Sequence, residues 1–139
     1  MRLHFKTYCD KSNLQLVRDF VREGLSKNGV TDSDAYMTVL AVDEICSNLM
    51  IHSNCCDNAK QIDLILDFLE NLLKITITDY GISFEYPPQI DNSLESLIAE
   101  KRKGGLGLML VRKIMDEVSY ETISGQNSWV LSKRLSVVQ

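Results

Sequence analysis

Glu44 and Asn48 stand four residues apart, and His52 follows at the same interval. On a helix this spacing lines the three side chains along one side. A carboxylate there can orient water or take a proton. An amide oxygen suits magnesium, which binds few protein oxygens and completes its shell with phosphates and water. The same residues also fit a helix edge facing solvent, and a histidine near a helix C-terminus is favoured by the dipole alone. A second candidate is Gly104-Gly105-Leu106-Gly107, directly after Lys101-Arg102-Lys103. Glycines let backbone N–H groups approach an anion, and a following helix N-terminus adds positive potential. The alternative is a flexible loop with a solvated basic run. No G-x-x-x-x-G-K-[ST] is present, and Gly105-x-Gly107 lacks the third glycine of a dinucleotide fold, so a phosphate site here is of another kind. His52, Cys55 and Cys56 form a possible metal cluster, but adjacent thiolates are poorly spaced for zinc, and reduced thiols at a helix end explain them as well.

These residues need a scaffold, and the hydrophobic pattern supplies one. Residues 2–8 alternate as a half-buried strand. Ser12-Asn13-Leu14-Gln15 reads as a capping box, and Leu14, Val17, Phe20, Val21 and Leu25 then share a helical stripe that Asn28-Gly29 ends. A second helix opens at Thr31-Asp32-Ser33-Asp34 and runs to about His52. It is apolar over most of its circumference through Tyr36, Val39, Leu40, Val42, Ile45 and Leu49, so its polar members need partners.

Ile62, Leu64, Leu66 and Phe68 alternate, Glu70-Asn71 turns the chain, and Leu73, Ile75 and Ile77 alternate again as a hairpin. Continuing the period of two places Asp79 on that apolar face, where a carboxylate needs something to hydrogen-bond. Residues 82–103, with Pro87-Pro88 and a short turn around Leu94, Leu97 and Ile98, form a long connection of the kind that serves as a lid. A third helix follows the glycine run, with Leu108, Val111, Ile114, Met115 and Val118 as its stripe. Two strands, about 118–123 and 128–135, flank a Ser124-Gly125-Gln126-Asn127 turn. Strands arriving in hairpins define an α+β two-layer sandwich: a mixed, mostly antiparallel sheet with helices on one face, in a single domain over 1–139.

The 139 residues carry a net charge of −4, which argues against general nucleic-acid affinity. No apolar run reaches the roughly 20 residues of a membrane-spanning helix. Cys9, Cys46, Cys55 and Cys56 show no disulfide-framework spacing. A cytoplasmic location, without direct contact to membrane or nucleic acid, is expected.

Three segments in one order carry a resemblance. Ala41-Val42-Asp43-Glu44-Ile45-Cys46-Ser47-Asn48-Leu49-Met50-Ile51-His52 resembles the N box of the GHKL (histidine-kinase-like) ATPase superfamily. Asp79-Tyr80-Gly81-Ile82-Ser83-Phe84 resembles its D-x-G-x-G box, and Gly104-Gly105-Leu106-Gly107-Leu108 its second glycine box. The Asp-Glu-x-x-x-Asn-x-x-x-His form, the short lid and Arg112-Lys113-Ile114-Met115-Asp116-Glu117-Val118 are most similar to the anti-sigma-factor serine/threonine kinases. The resemblance implies a Bergerat-type ATP-binding fold.

It also implies roles. Asp79 would accept a hydrogen bond from the adenine amino group. Asn48 would coordinate Mg2+ bridging the ATP phosphates, and Glu44 would act as base toward the accepting hydroxyl. Gly81 would permit a tight turn beside the base, while Gly104, Gly105 and Gly107 would let the lid and helix wrap the phosphates. The implied protein phosphorylates a serine of an anti-anti-sigma antagonist and sequesters an RNA polymerase sigma factor. Relatives of this type commonly form homodimers, for which the exposed side of the 12–28 helix is available. A non-catalytic ATP-binding regulatory switch is the alternative, and the catalytic domain of a histidine kinase fits less well, because the lid is short and no phospho-acceptor hairpin precedes it. Ser83 stands where the family usually has a glycine. If that backbone needs positive φ, serine costs about 1 kcal/mol or more there, which would weaken nucleotide affinity more than folding.

Overall fold

Alternation along each strand is realised as one antiparallel sheet with an apolar inner face. A computed structural model of the chain describes residues 1–50, 60–80 and 106–136. In chain order these form β1 (Arg2–Tyr8), a 3-10 turn (Lys11–Asn13), α1 (Leu14–Lys27), α2 (Asp32–Asn48), β2 (Gln61–Leu69), β3 (Leu72–Asp79), α3 (Leu106–Ile114), β4 (Glu117–Ile123) and β5 (Gln126–Arg134). The sheet order is β1-β2-β3-β5-β4. Every pairing among the described residues is antiparallel, so the expected mixed sheet is in fact uniform there.

The register sorts the inner face into rows. Leu3, Leu66, Ile75, Leu131 and Val118 lie side by side across the five strands. The next row is Phe5, Leu64, Ile77, Trp129 and Tyr120. On these rows lie Val17, Val21 and Leu25 of α1, Val39, Val42 and Ile45 of α2, and Leu108, Val111 and Ile114 of α3, all in one core. Phe5 stacks on Phe20 with centroids 5.0 Å apart. Tyr120 tilts onto Trp129 at 4.7 Å. The outer face carries the alternate, polar positions, with Arg2 Nε 2.7 Å from Asp67 Oδ1. One face therefore holds the helices, as the strand alternation predicts.

Helix ends follow local chemistry, with one correction. Thr31 accepts a hydrogen bond from the Asp34 N–H at 3.3 Å, starting α2 at the expected place. Asn28-Gly29 ends α1 as expected: Gly29 has φ 72°, its N–H donates to the Ser26 carbonyl, and the Val30 N–H donates to that of Leu25. This is the paired arrangement that satisfies final carbonyls. The capping box at Ser12 does not form. Asp10 instead caps the 3-10 turn by accepting from the Ser12 N–H, and the Gln15 amide donates to Asp19 rather than turning back. The carboxylate of Asp10 offers a stronger acceptor than the Ser12 hydroxyl.

Three further expectations shift. Tyr36, placed on the apolar girth of the second helix, is 69% exposed, because it stands away from the side on which α2 buries Thr38, Val39, Ala41 and Val42. Val118 belongs to β4 rather than to the helix stripe. The last hairpin turns on Ser124-Gly125 alone, which moves Gln126 and Asn127 into β5. The 82–103 lid, the turn around Leu94, Leu97 and Ile98, and the end of the second helix at His52 lie outside the described residues.

Gly24 is where α1 comes closest to the sheet. A Cβ there would stand 2.9 Å from Leu3 Cδ1 and 3.2 Å from Leu66 Cδ1. Gly24→Val is expected to lower stability by about 1–3 kcal/mol through overpacking, read as a lower urea midpoint with an unchanged slope.

Candidate functional site

The last row of the inner face breaks the apolar pattern. Thr7, Ile62, Asp79, Asn127 and Thr122 succeed one another across the sheet, and four of the five are polar. Asp79 and Asn127 are each 0% exposed. Asn127 Oδ1 accepts from Thr122 Oγ1 at 2.9 Å. A carboxylate and an amide held under an apolar face are costly unless their environment supplies hydrogen-bonding groups. Such a row forms a polar end to the core against which a ligand with donors and acceptors can sit.

Helix α2 crosses above this face, packed against α1 on one side and α3 on the other. Cys46 lies on its buried side. Its thiol is fully buried and pushed well up, first by burial and then by the negative charges of Asp43, Cys9 and Asp79. The inner side of α2 therefore lies within electrostatic reach of Asp79. Glu44 and Asn48 flank Cys46 in the chain and are both half-buried, on the border where α2 leaves the core. Asp43 turns elsewhere: its Oδ1 receives Arg18 Nε from α1 at 2.8 Å, in a partly buried ion pair.

The structure thus brings Asp79 under α2 and sets Glu44 and Asn48 along one edge of that helix. Gly107 falls in the first turn of α3. Gly81, Ser83, Gly104, Gly105, His52, Cys55 and Cys56 lie outside the described residues. No cluster of three or more metal-ligating His, Cys, Asp or Glu occurs among the described residues. Among the described residues, no helix is long and apolar enough to cross a membrane.

Asn127 and Thr122 escaped the reading of the sequence. The signal was present, since Leu131, Trp129 and Asn127 alternate on one face. Extending the turn through Asn127 concealed it.

Fold and site together define a histidine kinase-like ATPase domain. The family model of that description matches residues 9–133, and the chain belongs to this family. Within the family it groups with the serine-protein kinases: it is 32% identical over 121 residues to serine-protein kinase RsbW of Staphylococcus aureus, an alignment covering 81% of this chain and 74% of that one. Two crystal structures share its fold. The RsbU and RsbW domains of Rv1364c from Mycobacterium tuberculosis superpose with a TM-score of 0.73 at 19% identity, over 99% of this chain and 33% of that one, so this chain spans about a third of that protein. The SiaB-SiaC complex from Pseudomonas aeruginosa gives a TM-score of 0.60 at 16% identity, over 96% of this chain and 89% of its counterpart.

Burial and the raised thiol pKa make Cys46 a poor nucleophile, and Cys9 is buried as well. Neither is expected to react with iodoacetamide at pH 8 in the folded protein, and both should react in urea. Peptide mapping by mass spectrometry checks this and keeps them separate from Cys55 and Cys56.

Proposed function

We propose that this domain transfers the γ-phosphoryl group of ATP, with Mg2+, to a serine of an anti-anti-sigma antagonist protein, and that it sequesters a sigma factor. The observation that carries the nucleotide site is the buried polar row at the end of the inner face, centred on Asp79 and Asn127. A purine offers an exocyclic amine and ring nitrogens, the complement of a carboxylate and an amide. The protein acceptor is supported by the kinship to serine-protein kinases and by the shared fold with a protein crystallised as the SiaB-SiaC complex.

In this reading Asp79 accepts from the adenine amino group. The Asn48 side-chain oxygen is a hard ligand at the open end of α2 and would hold Mg2+, which supplies charge neutralisation for the triphosphate. Glu44, one helical turn before Asn48 on the same edge, takes the proton of the serine hydroxyl as that oxygen attacks the γ-phosphorus and the bond to the β,γ-bridging oxygen breaks, releasing ADP. Gly81 would permit a tight turn beside the base, Gly104, Gly105 and Gly107 would let the lid and helix wrap the phosphates, and the N-terminus of α3 adds positive potential. Phosphoryl transfer asks mainly for positioning and electrostatic neutralisation, within the reach of a small domain.

Glu44→Gln should retain ATP binding while lowering transfer to the antagonist serine by about 10²–10⁴-fold, measured with labelled ATP and mass spectrometry of the acceptor. An unchanged rate would remove Glu44 from the mechanism. Binding of Mg-ATP without phosphate reaching any co-encoded partner would select the regulatory switch instead. Chelation of Mg2+ should abolish transfer, with activity restored on adding it back.

A further inference from the structure

The residue after Asp79 crosses to the opposite face of the sheet. Tyr80 is 40% exposed there, and its Oη donates to Asp63 Oδ2 at 3.3 Å. Its carbonyl accepts from Lys60 Nζ at 3.3 Å. Asp63 belongs to β2, opposite Thr78 in the register, and its side chain is 16% exposed. His4 Nε2 and Lys6 Nζ of β1 each lie 3.8 Å from its Oδ1. Burial and the Asp63 carboxylate push the Tyr80 phenol above its ordinary pKa, so the hydroxyl stays protonated and donates. Two strands and the segment leaving β3 thus meet in one cluster on the face that carries no helix.

The cluster sits where the sheet stops supporting the chain. Pairing on both sides of β3 ends at Asp79, with Ile62 on one side and Asn127 on the other. A planar peptide joins residues 79 and 80, so the rotation that aims the Asp79 carboxylate is linked to the direction taken by Tyr80. Lys60 supplies the Tyr80 carbonyl with the donor that a continued ladder would have given, and Asp63 fixes the ring on the outer face.

We propose that Tyr80, Asp63 and Lys60 are positioning residues for purine recognition. They act through the backbone from the outer face, holding the exit of β3 so that Asp79 presents its carboxylate to the exocyclic amine. This rests on the reading of Asp79 as the purine anchor. None of the three touches the nucleotide. Their effect is therefore confined to the contact that Asp79 makes, and a nucleotide without the amino group should not register it.

The test compares ATP with purine riboside triphosphate, which lacks the 6-amino group, by calorimetric titration of the folded protein. Tyr80→Phe and Asp63→Asn should each weaken ATP binding about three- to tenfold, the range of one hydrogen bond. The double variant should be no weaker than the worse single variant, because both remove the same link. Binding of the purine analogue should change by less than about twofold, as should kcat at saturating ATP. Unchanged ATP affinity, or equal losses for both nucleotides, would overturn the proposal. Should Asp63→Asn fail to fold, Tyr80→Phe and Lys60→Met carry the same comparison. Asp79→Asn separates the two levels. Wild-type ATP affinity in that variant refutes the anchor itself and the proposal with it. A large loss there, beside an unaffected Tyr80→Phe, refutes only the positioning role.

Discussion

A carboxylate completely withdrawn from water is the constraint around which this domain is organised. Asp79 continues the alternation of Leu73, Ile75 and Ile77, so the strand that buries those side chains buries it too. Desolvating such a group without partners costs several kcal/mol, a sizeable share of the net stability of a small domain. The sheet accommodates it by making every residue of the last row but Ile62 polar. Thr7, Asn127 and Thr122 stand in register with it, while the rows beneath remain apolar and close-packed. In the proposed function, this row of hydrogen-bonding side chains at the end of a hydrophobic face is what would meet the polar edge of the purine.

The helical layer answers that arrangement. α2 is buried on the side bearing Val42, Ile45 and Cys46, and half-open where Glu44 and Asn48 stand. An apolar body with a polar border lets one helix pack on the sheet and still, in the proposed function, line the space for the phosphates. Residues after β5 secure its start: the Ser136 N–H donates to Asp34 Oδ2 at 2.7 Å, and the Thr31 N–H donates to the Ser136 carbonyl at 3.1 Å. The end of the described chain thus clamps the beginning of the helix that carries the candidate base.

Much of this was legible in the sequence because period and packing agree. The hairpin of β2 and β3, the burial of Asp79, the end of the first helix and the start of the second follow from alternation, from Gly29 and from Thr31. What escaped depended on competition between local choices. Asp10 and Ser12 both offer a cap, and the stronger acceptor prevails. Four consecutive turn-forming residues conceal a two-residue loop, because strand pairing with β3 draws Gln126 and Asn127 into the ladder. Exposure of Tyr36 depends on how far each neighbour extends along α2, which periodicity alone does not encode. The candidate site was legible as residue types at spacings, yet its row-wise grouping needed the register of five strands.

The adjacent carboxylates of α2 show how the fold gives neighbouring residues different surroundings. Asp43 and Glu44 differ by one methylene and one position, and the sequence prefers Glu44 only through its spacing of four residues to Asn48. One residue on a helix is a rotation of about 100°, enough to send neighbouring side chains to different surroundings. Asp43 meets Arg18 of α1 at 2.8 Å in a partly buried pair, so its charge is matched and its geometry fixed. Glu44 falls on the same edge as Asn48, four residues on, where α2 borders the polar end of the core. The Arg18–Asp43 pair joins the first two helices, while burial of Val39, Val42 and Ile45 in the core sets the rotation of α2 about its axis and with it the edge on which Glu44 stands.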